Sequence, residues 1–266
     1  MPPWNARMRI PILMYHEVGL RESSAERYTV TTEAFREQLR YLRDHGYRTL
    51  VLGQPEDAEN SSDRGAKTVA ITFDDNNLCH HSVSTPILAE FGFRATFFIV
   101  SGFVGRPGDM LSAEQLREMQ RAGMSIESHS HTHRFLSDLG EPEIHAELRD
   151  SRRILEDQLH KEVRFLSCPG GRYSTKVLEC ARAAGYHGVC TSAPGLSEAG
   201  SWTPARKLDR FLISATTGLE TFAKIVAGDT RYVRGQMLRY RGKAILKGML
   251  GNRRYDALWR RYRRDL

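Results

Sequence analysis

Apolar residues along this chain gather into short continuous runs, and the stretches between them repeat apolar positions at helical spacing. The runs are Ile10 to Tyr15, Tyr47 to Leu52, Val69 to Phe73, Ala95 to Val100, Met124 to Glu127, Val163 to Ser167, His187 to Thr191 and Leu208 to Ile213. Runs of this length without alternation predict strands buried on both faces, as in a parallel sheet covered by helices. Thr31 to His45, with Phe35, Leu39 and Leu42 on one stripe, predicts a helix, as do Thr85 to Phe91, Glu141 to Leu159 and Ser174 to Ala184. Ser112 followed three residues later by Gln115 is a capping-box start for another, ending at Gly123. Four times a helix closes on glycine and an apolar residue follows: Gly46-Tyr47, Gly92-Phe93, Gly123-Met124 and Gly185-Tyr186. Seven or eight strands alternating with helices predict an α/β fold with a parallel barrel. A doubly wound open sheet is the alternative, and no glycine-rich phosphate loop favours it. Gln54 to Gly65 and Ser192 to Lys207 are predicted loops.

Composition bounds the size of the answer. With 266 residues, 40% of them hydrophobic, the chain can bury one substantial core. Charge is uneven: residues 230–266 hold 12 of the 39 Lys and Arg but 2 of the 32 acids, a net of +10, so the rest carries −3. We therefore divide the chain into a barrel domain, 1–229, and a basic amphipathic helical tail, 230–266. The barrel's charge gives no reason to expect nucleic acid, whereas the tail, with Leu238, Ile245, Leu258 and Trp259 among its cations, suits either packing on the barrel or an anionic membrane surface. Cys79, Cys168, Cys180 and Cys190 show no CxxC spacing and predict free thiols. The opening residues lack a cleavable leader pattern, and no run of about 18 apolar residues occurs, so the expected location is cytoplasmic, with the inner face of the plasma membrane as an extension through the tail.

The chemically capable residues sit just after predicted strands. His16 follows the first, Asp74 and Asp75 end the Val69 strand, His129 and His133 follow the Met124 strand, and Pro169 and Gly170 follow the Val163 strand. In an α/β barrel the carboxyl ends of the strands form the functional face, so these groups converge. His129 and His133, four apart, can share a metal if they face one side of a helical turn, although a solvated loop would read the same. Two buried carboxylates also call for a cation. Because successive residues of an extended segment point oppositely, one aspartate can bind the metal while the other accepts a proton. Such a site, activating a water near a general base, points to hydrolysis of an amide or ester.

Thr72-Phe73-Asp74-Asp75 and His129-Ser130-His131-Thr132-His133 resemble the first two motifs of the polysaccharide deacetylase family, the NodB homology domain also classed as carbohydrate esterase family 4. The likeness runs from about Ile10 to Gly228, and PILMYHEV and ATFFIVSGFVG resemble its poly-N-acetylglucosamine deacetylase branch. It implies a distorted (β/α) barrel of about seven parallel strands that removes N-acetyl groups from amino sugars with one divalent ion, zinc, or alternatively cobalt, nickel or manganese. It further implies Asp74 as the base and Asp75, His129 and His133 as metal ligands, with the Gly170 backbone N–H helping to hold the oxyanion. Asn76 replaces a usual glycine, and Ser167 stands where the family carries an arginine beside the base, leaving Arg172, Arg206 or Arg210 as substitutes. The late histidine motif that supplies a general acid is not recognisable, so His16 is the candidate proton donor. Pro169, Tyr173 and Trp202 are the candidate sugar contacts. The expected partner is an N-acetylated oligo- or polysaccharide. An N-deformylase or N-deacylase of a lipid-linked amino sugar, and a silent carbohydrate-binding barrel, are the alternatives.

Overall fold

The computed structural model describes residues 9–19, 27–52, 67–198 and 205–243. Strands β1 (Arg9–Tyr15), β2 (Glu17–Gly19) and β3 (Thr29–Thr31) lead into helix α1 (Thr32–Asp44) and β4 (Tyr47–Thr49). Then come β5 (Lys67–Asp74), a π-helical turn at His80–Ser84, α2 (Thr85–Glu90), β6 (Thr96–Ile99), α3 (Ala113–Arg121) and β7 (Ser125–Ser128). The second half runs α4 (Glu141–Leu159), β8 (Phe165–Ser167), α5 (Thr175–Ala183), β9 (Gly188–Cys190), β10 (Leu196–Glu198), β11 (Arg206–Leu208), β12 (Phe211–Leu212) and α6 (Leu219–Val226). A last helix, α7, occupies 230–243.

The strands pair in the order β10-β1-β5-β6-β7-β8-β9-β11, and β12 returns to β1. All these pairings are parallel except β1 with β10. The result is a mostly parallel sheet nearly closed into a barrel. The expected strand Leu208 to Ile213 is divided in two: β11 pairs with β9, β12 pairs with β1, and Asp209-Arg210 bridges the gap. The predicted loop Ser192 to Lys207 likewise contains β10, whose three residues cover the first half of β1 and are too short to carry a periodic signal.

The period of two along each strand sorts residues between an inner and an outer layer. Along β5, Val69, Ile71 and Phe73 join the large cluster under the helices, whereas Ala70 joins a second cluster with Ile10, Ile12, Phe98, Phe165, Cys190 and Leu208. That second cluster plugs the barrel. Two more residues of the same parity bring Thr72 and Asp74 to its open end, as Phe165 does for Ser167 and Leu208 for Arg210.

Local signals set the helices. Thr31 caps α1 by accepting from the Ala34 N–H, Ser112 and Gln115 form the expected capping box, and Ser174 caps α5. Tyr232 and Val233 of α7 pack against the core, while Leu238 is exposed. The rest of the basic segment, and Trp202, lie outside the described residues. Among the described residues, no helix is long and apolar enough to cross a membrane, and all four cysteines are free.

Candidate active site

Asp74, the last residue of β5, is buried at the barrel's carboxyl end. Arg210 Nη1 donates to its Oδ1 and Nη2 to its Oδ2, both at 2.7 Å. The same guanidinium also donates to the Thr191 carbonyl (3.0 Å), Thr72 Oγ1 (3.2 Å) and Ser167 Oγ (2.8 Å). All five of its N–H groups are thereby used, the condition under which a fully buried arginine is tolerated. Ser167 Oγ donates in turn to Asp74 Oδ2 at 3.0 Å. Ser167 therefore does not deprive the carboxylate of an arginine: a cation from the far end of the chain takes the place. Arg172 and Arg206 are elsewhere, Arg172 beside Asp138 and over the Phe135 ring, Arg206 on Glu198. Of the three candidate substitutes, Arg210 is the one beside the base, because the break between β11 and β12 turns it inward. Burial raises Asp74, but Arg210, and then His129, outweigh it and hold the carboxyl at about 2.

Asp75 leaves the strand with φ +76°, a left-handed conformation that aspartate tolerates better than most residues. The two carboxylates thus diverge because the backbone turns at Asp75, not because the extended strand continues. Asp75 Oδ1 lies 3.5 Å from His129 Nε2 and 3.2 Å from His133 Nε2. Burial works against its charge, yet hydrogen bonds from the two imidazoles hold it far below the usual carboxylate range. Asn76 spans the ends of β5 and β6: its Nδ2 donates to the Val100 carbonyl (3.1 Å), and Val100 N donates to its Oδ1 (2.7 Å).

The two histidines do not ride on a helical turn, contrary to expectation. Ser130 and His133 both have positive φ, and the resulting tight loop folds His133 back over His129, ring centroids 5.0 Å apart. Glu147 on α4 clamps the loop by accepting from the backbone of His131 (2.9 Å) and Thr132 (2.8 Å) and from the Thr132 hydroxyl. Ser151 Oγ donates to the Ser130 carbonyl, and Ser101 Oγ meets His131 Nδ1 at 2.8 Å. Glu147 is legible in hindsight, as the one acid among the buried positions Ile144, Leu148, Ser151 and Leu155 of α4.

A divalent cation fits the triad. His129 Nδ1 faces the Ser167 carbonyl at 2.8 Å, which can only accept, so Nδ1 carries the proton and the Nε2 lone pair is left for a ligand. One ligand atom each from Asp75, His129 and His133 lies within 4.8 Å of the others. Burial disfavours a charged His129, but Asp74 and Asp75 raise its pKa nonetheless, a field that would equally attract a metal ion. Three protein ligands leave a position open.

His16 follows β1 at the same end, near enough for Asp74 and Asp75 to pull its pKa upward; burial prevails and lowers it. Its buried Nδ1 has no partner among the described residues, its ring lies 4.9 Å from that of Tyr28, and its carbonyl accepts from His80 Nε2 at 2.6 Å. Burial takes His80 itself down to about 4. Gly170 is exposed at φ +62°, and a Cβ there would lie 2.7 Å from Phe135 Cε1. Pro169 is buried beneath it, and Tyr173 is half-buried with Lys207 Nζ over its ring at 5.6 Å.

The sequence matches the family model for polysaccharide deacetylase over residues 61–189. It is 32% identical over 191 residues to the Bacillus subtilis protein YxkH, covering 70% of this chain and 66% of that one. It is also 27% identical over 171 residues to the poly-β-1,6-N-acetyl-D-glucosamine N-deacetylase of Staphylococcus aureus, 59% of each chain. The chain thus spans just under two thirds of the first relative's length and about three fifths of the second's. Among solved structures, the Streptococcus pyogenes deacetylase PplD in complex with acetate superposes with a TM-score of 0.73 at 27% identity, over 83% of this chain and 99% of that one. The matched residues 61–189 carry both the aspartate pair and the histidine pair, the superposition covers most of the chain, and the chain belongs to the polysaccharide deacetylase family.

Proposed function

We propose that this chain is a metal-dependent hydrolase that removes N-acetyl groups from amino sugars of a polysaccharide or its precursor. The observation that carries the reading is the separation of two adjacent carboxylates, Asp74 locked onto Arg210 and Asp75 facing His129 and His133. The family and the named activity of the Staphylococcus aureus relative support amide hydrolysis on such a sugar.

Asp75, His129 and His133 would hold the ion, which when bound would acidify the attacking water and polarise the acyl carbonyl. Asp74 is the proton acceptor. Three donors occupy its two oxygens, so of roughly four lone-pair directions one is left for the water. Held at about 2, it is ionised at any working pH but only weakly basic, so it suits a water already made acidic. The Gly170 N–H supports the developing oxyanion, at a position where a side chain would collide with Phe135. His16 delivers a proton to the departing amine; its place at the mouth beside Asp74 and Asp75, with the ring only partly buried, supports that role. The amide C–N bond breaks, the water's hydroxyl joins the acyl carbon to give acetate, and the sugar leaves as the amine.

The test is acetate release by the full chain across N-acetylglucosamine oligomers and polymers, before and after chelation and with zinc, cobalt, nickel or manganese restored. Release that stops on chelation and returns with an ion supports the reading. Saccharide binding without release would make the chain a silent binder, and release of formate or a longer acyl chain alone would move it to another N-deacylase.

A further inference from the structure

Helices α4 and α5 pack against each other in the layer outside the strands. Part of that interface is closed by Arg152, whose Nη1 donates to the Ala184 carbonyl at 2.8 Å. Nearer the start of α4, three metal-capable groups meet instead: Glu141 and His145, one turn apart on α4, and Cys180 on α5. One ligand atom from each lies within 4.8 Å of the others, and His145 Nε2 is 3.9 Å from Glu141 Oε1. Tetrahedral bonds of about 2.0–2.3 Å put ligand atoms roughly 3.3–3.6 Å apart, so small rotations of the two α4 side chains would close the set on one ion.

The three groups are not committed elsewhere. Glu143, another acid in the first turn of α4, accepts from the Gly140 N–H and from Arg134, both at 3.0 Å, whereas Glu141 has no Arg or Lys partner among the described residues. Cys180 is a free thiol, 2% exposed, while the side chains of Glu141 and His145 are 61% and 42% exposed and give an ion a path from solvent. Charge balances as well: one carboxylate and one thiolate neutralise a divalent ion, which offsets the repulsion of a cation by the positive end of the α4 dipole. Burial, then Glu141 and Glu179, keep the thiol protonated, with Lys176 acting the other way. A bound ion reverses that, the Sγ–H bond giving way to an Sγ–metal bond as one proton leaves to solvent.

We propose that Glu141, His145 and Cys180 form a second metal site, for zinc, separate from the Asp75, His129 and His133 triad, and that the ion staples α4 to α5. A thiolate and an imidazole beside one carboxylate suit zinc and not magnesium or calcium, which take oxygen ligands. The staple would steady both flanks of the mouth, since α4 also carries Glu147, the clamp on the histidine loop, and α5 follows the Gly170 loop. The site does not depend on the reaction at the mouth.

The experiment titrates cobalt(II) into the metal-stripped full chain, kept reduced with a phosphine. A sulfur-to-cobalt charge-transfer band reports this site alone, because the triad at the mouth contains no sulfur. The band should saturate in the unaltered chain and in Asp75→Ala, and added zinc should abolish it. Cys180→Ser should remove it. His145→Ala, at a half-exposed position that spares the core, should weaken cobalt binding by about 100-fold or more. Zinc should raise the urea midpoint of Asp75→Ala and leave that of Asp75→Ala with His145→Ala unmoved. No band in Asp75→Ala, a band that survives Cys180→Ser, or an affinity untouched by His145→Ala overturns the site, and a band without a midpoint shift overturns the staple. In metal counts that compare variants of the mouth, this second ion is common to all and cancels.

Discussion

Replacing Arg210 by methionine keeps most of the stem's volume and removes the charge, leaving Asp74 buried without a cation. Lowering that carboxyl from 3.8 to about 2 corresponds to about 2 kcal/mol of stability at neutral pH. The total loss in Arg210→Met should be larger, about 3–5 kcal/mol, because a lone buried carboxylate is worse than an exposed one. Its pH dependence has a definite sign. With a depressed pKa, the Asp74 contribution is present above 3.8 and disappears as pH falls through about 2. In the variant, burial, the largest single influence, is opposed only by His129 and His16, so the Asp74 carboxyl moves upward and the protein gains as that group is protonated. Urea unfolding of the metal-stripped protein should therefore show the gap between the two narrowing by about 2 kcal/mol or more from pH 7 to pH 4.5. Arg210→Met combined with Asp74→Leu, which leaves no buried charge, should recover a good part of the loss. The same gap at both pH values, with no recovery in the pair, would mean that Arg210 contributes packing alone.

Three further outcomes are expected. His16→Ala should lower turnover by about 10²-fold, the range of a general acid, with bound metal unchanged by elemental analysis; full activity would return His16 to a packing role. Burial raises Glu127 from 4.5 to about 7, although the Arg164 and Phe165 N–H groups and Ser125 pull the other way. A raised carboxyl favours folding below 4.5 and loses that advantage as pH climbs through 7, by about 3 kcal/mol, so Glu127→Gln should flatten the stability profile between pH 5 and pH 8. Gly170→Ala should reduce kcat/KM by about tenfold or more by displacing the backbone donor, and Phe135→Ala in the same chain should restore part of it by clearing the collision.

The barrel was legible because buried parallel strands write themselves as unbroken apolar runs and because four of the helices end on a marked glycine. Glu141–Leu159 has the predicted boundaries, and the Ser112 capping box forms as read. The aspartates and histidines were legible because the chemistry requires those residue types at strand ends. The geometry that joins them was not: the left-handed turns at Asp75, Ser130 and His133 are backbone states that non-glycine residues do not announce. Arg210 could be named only as one of three arginines, since its inward direction depends on a two-residue break between β11 and β12 and on parity with Leu208. Glu147 escaped because it acts through the backbone of a loop distant in sequence.

The division of labour between Asp74 and Asp75 is tested most directly by measuring metal content and acetate release on the same preparations of the unaltered chain, Asp74→Asn and Asp75→Ala. The account predicts that Asp74→Asn keeps its metal and loses about 10²-fold or more in turnover, while Asp75→Ala loses both. Equal loss of metal in the two variants, or acetate release by Asp74→Asn at the unaltered rate, would contradict it.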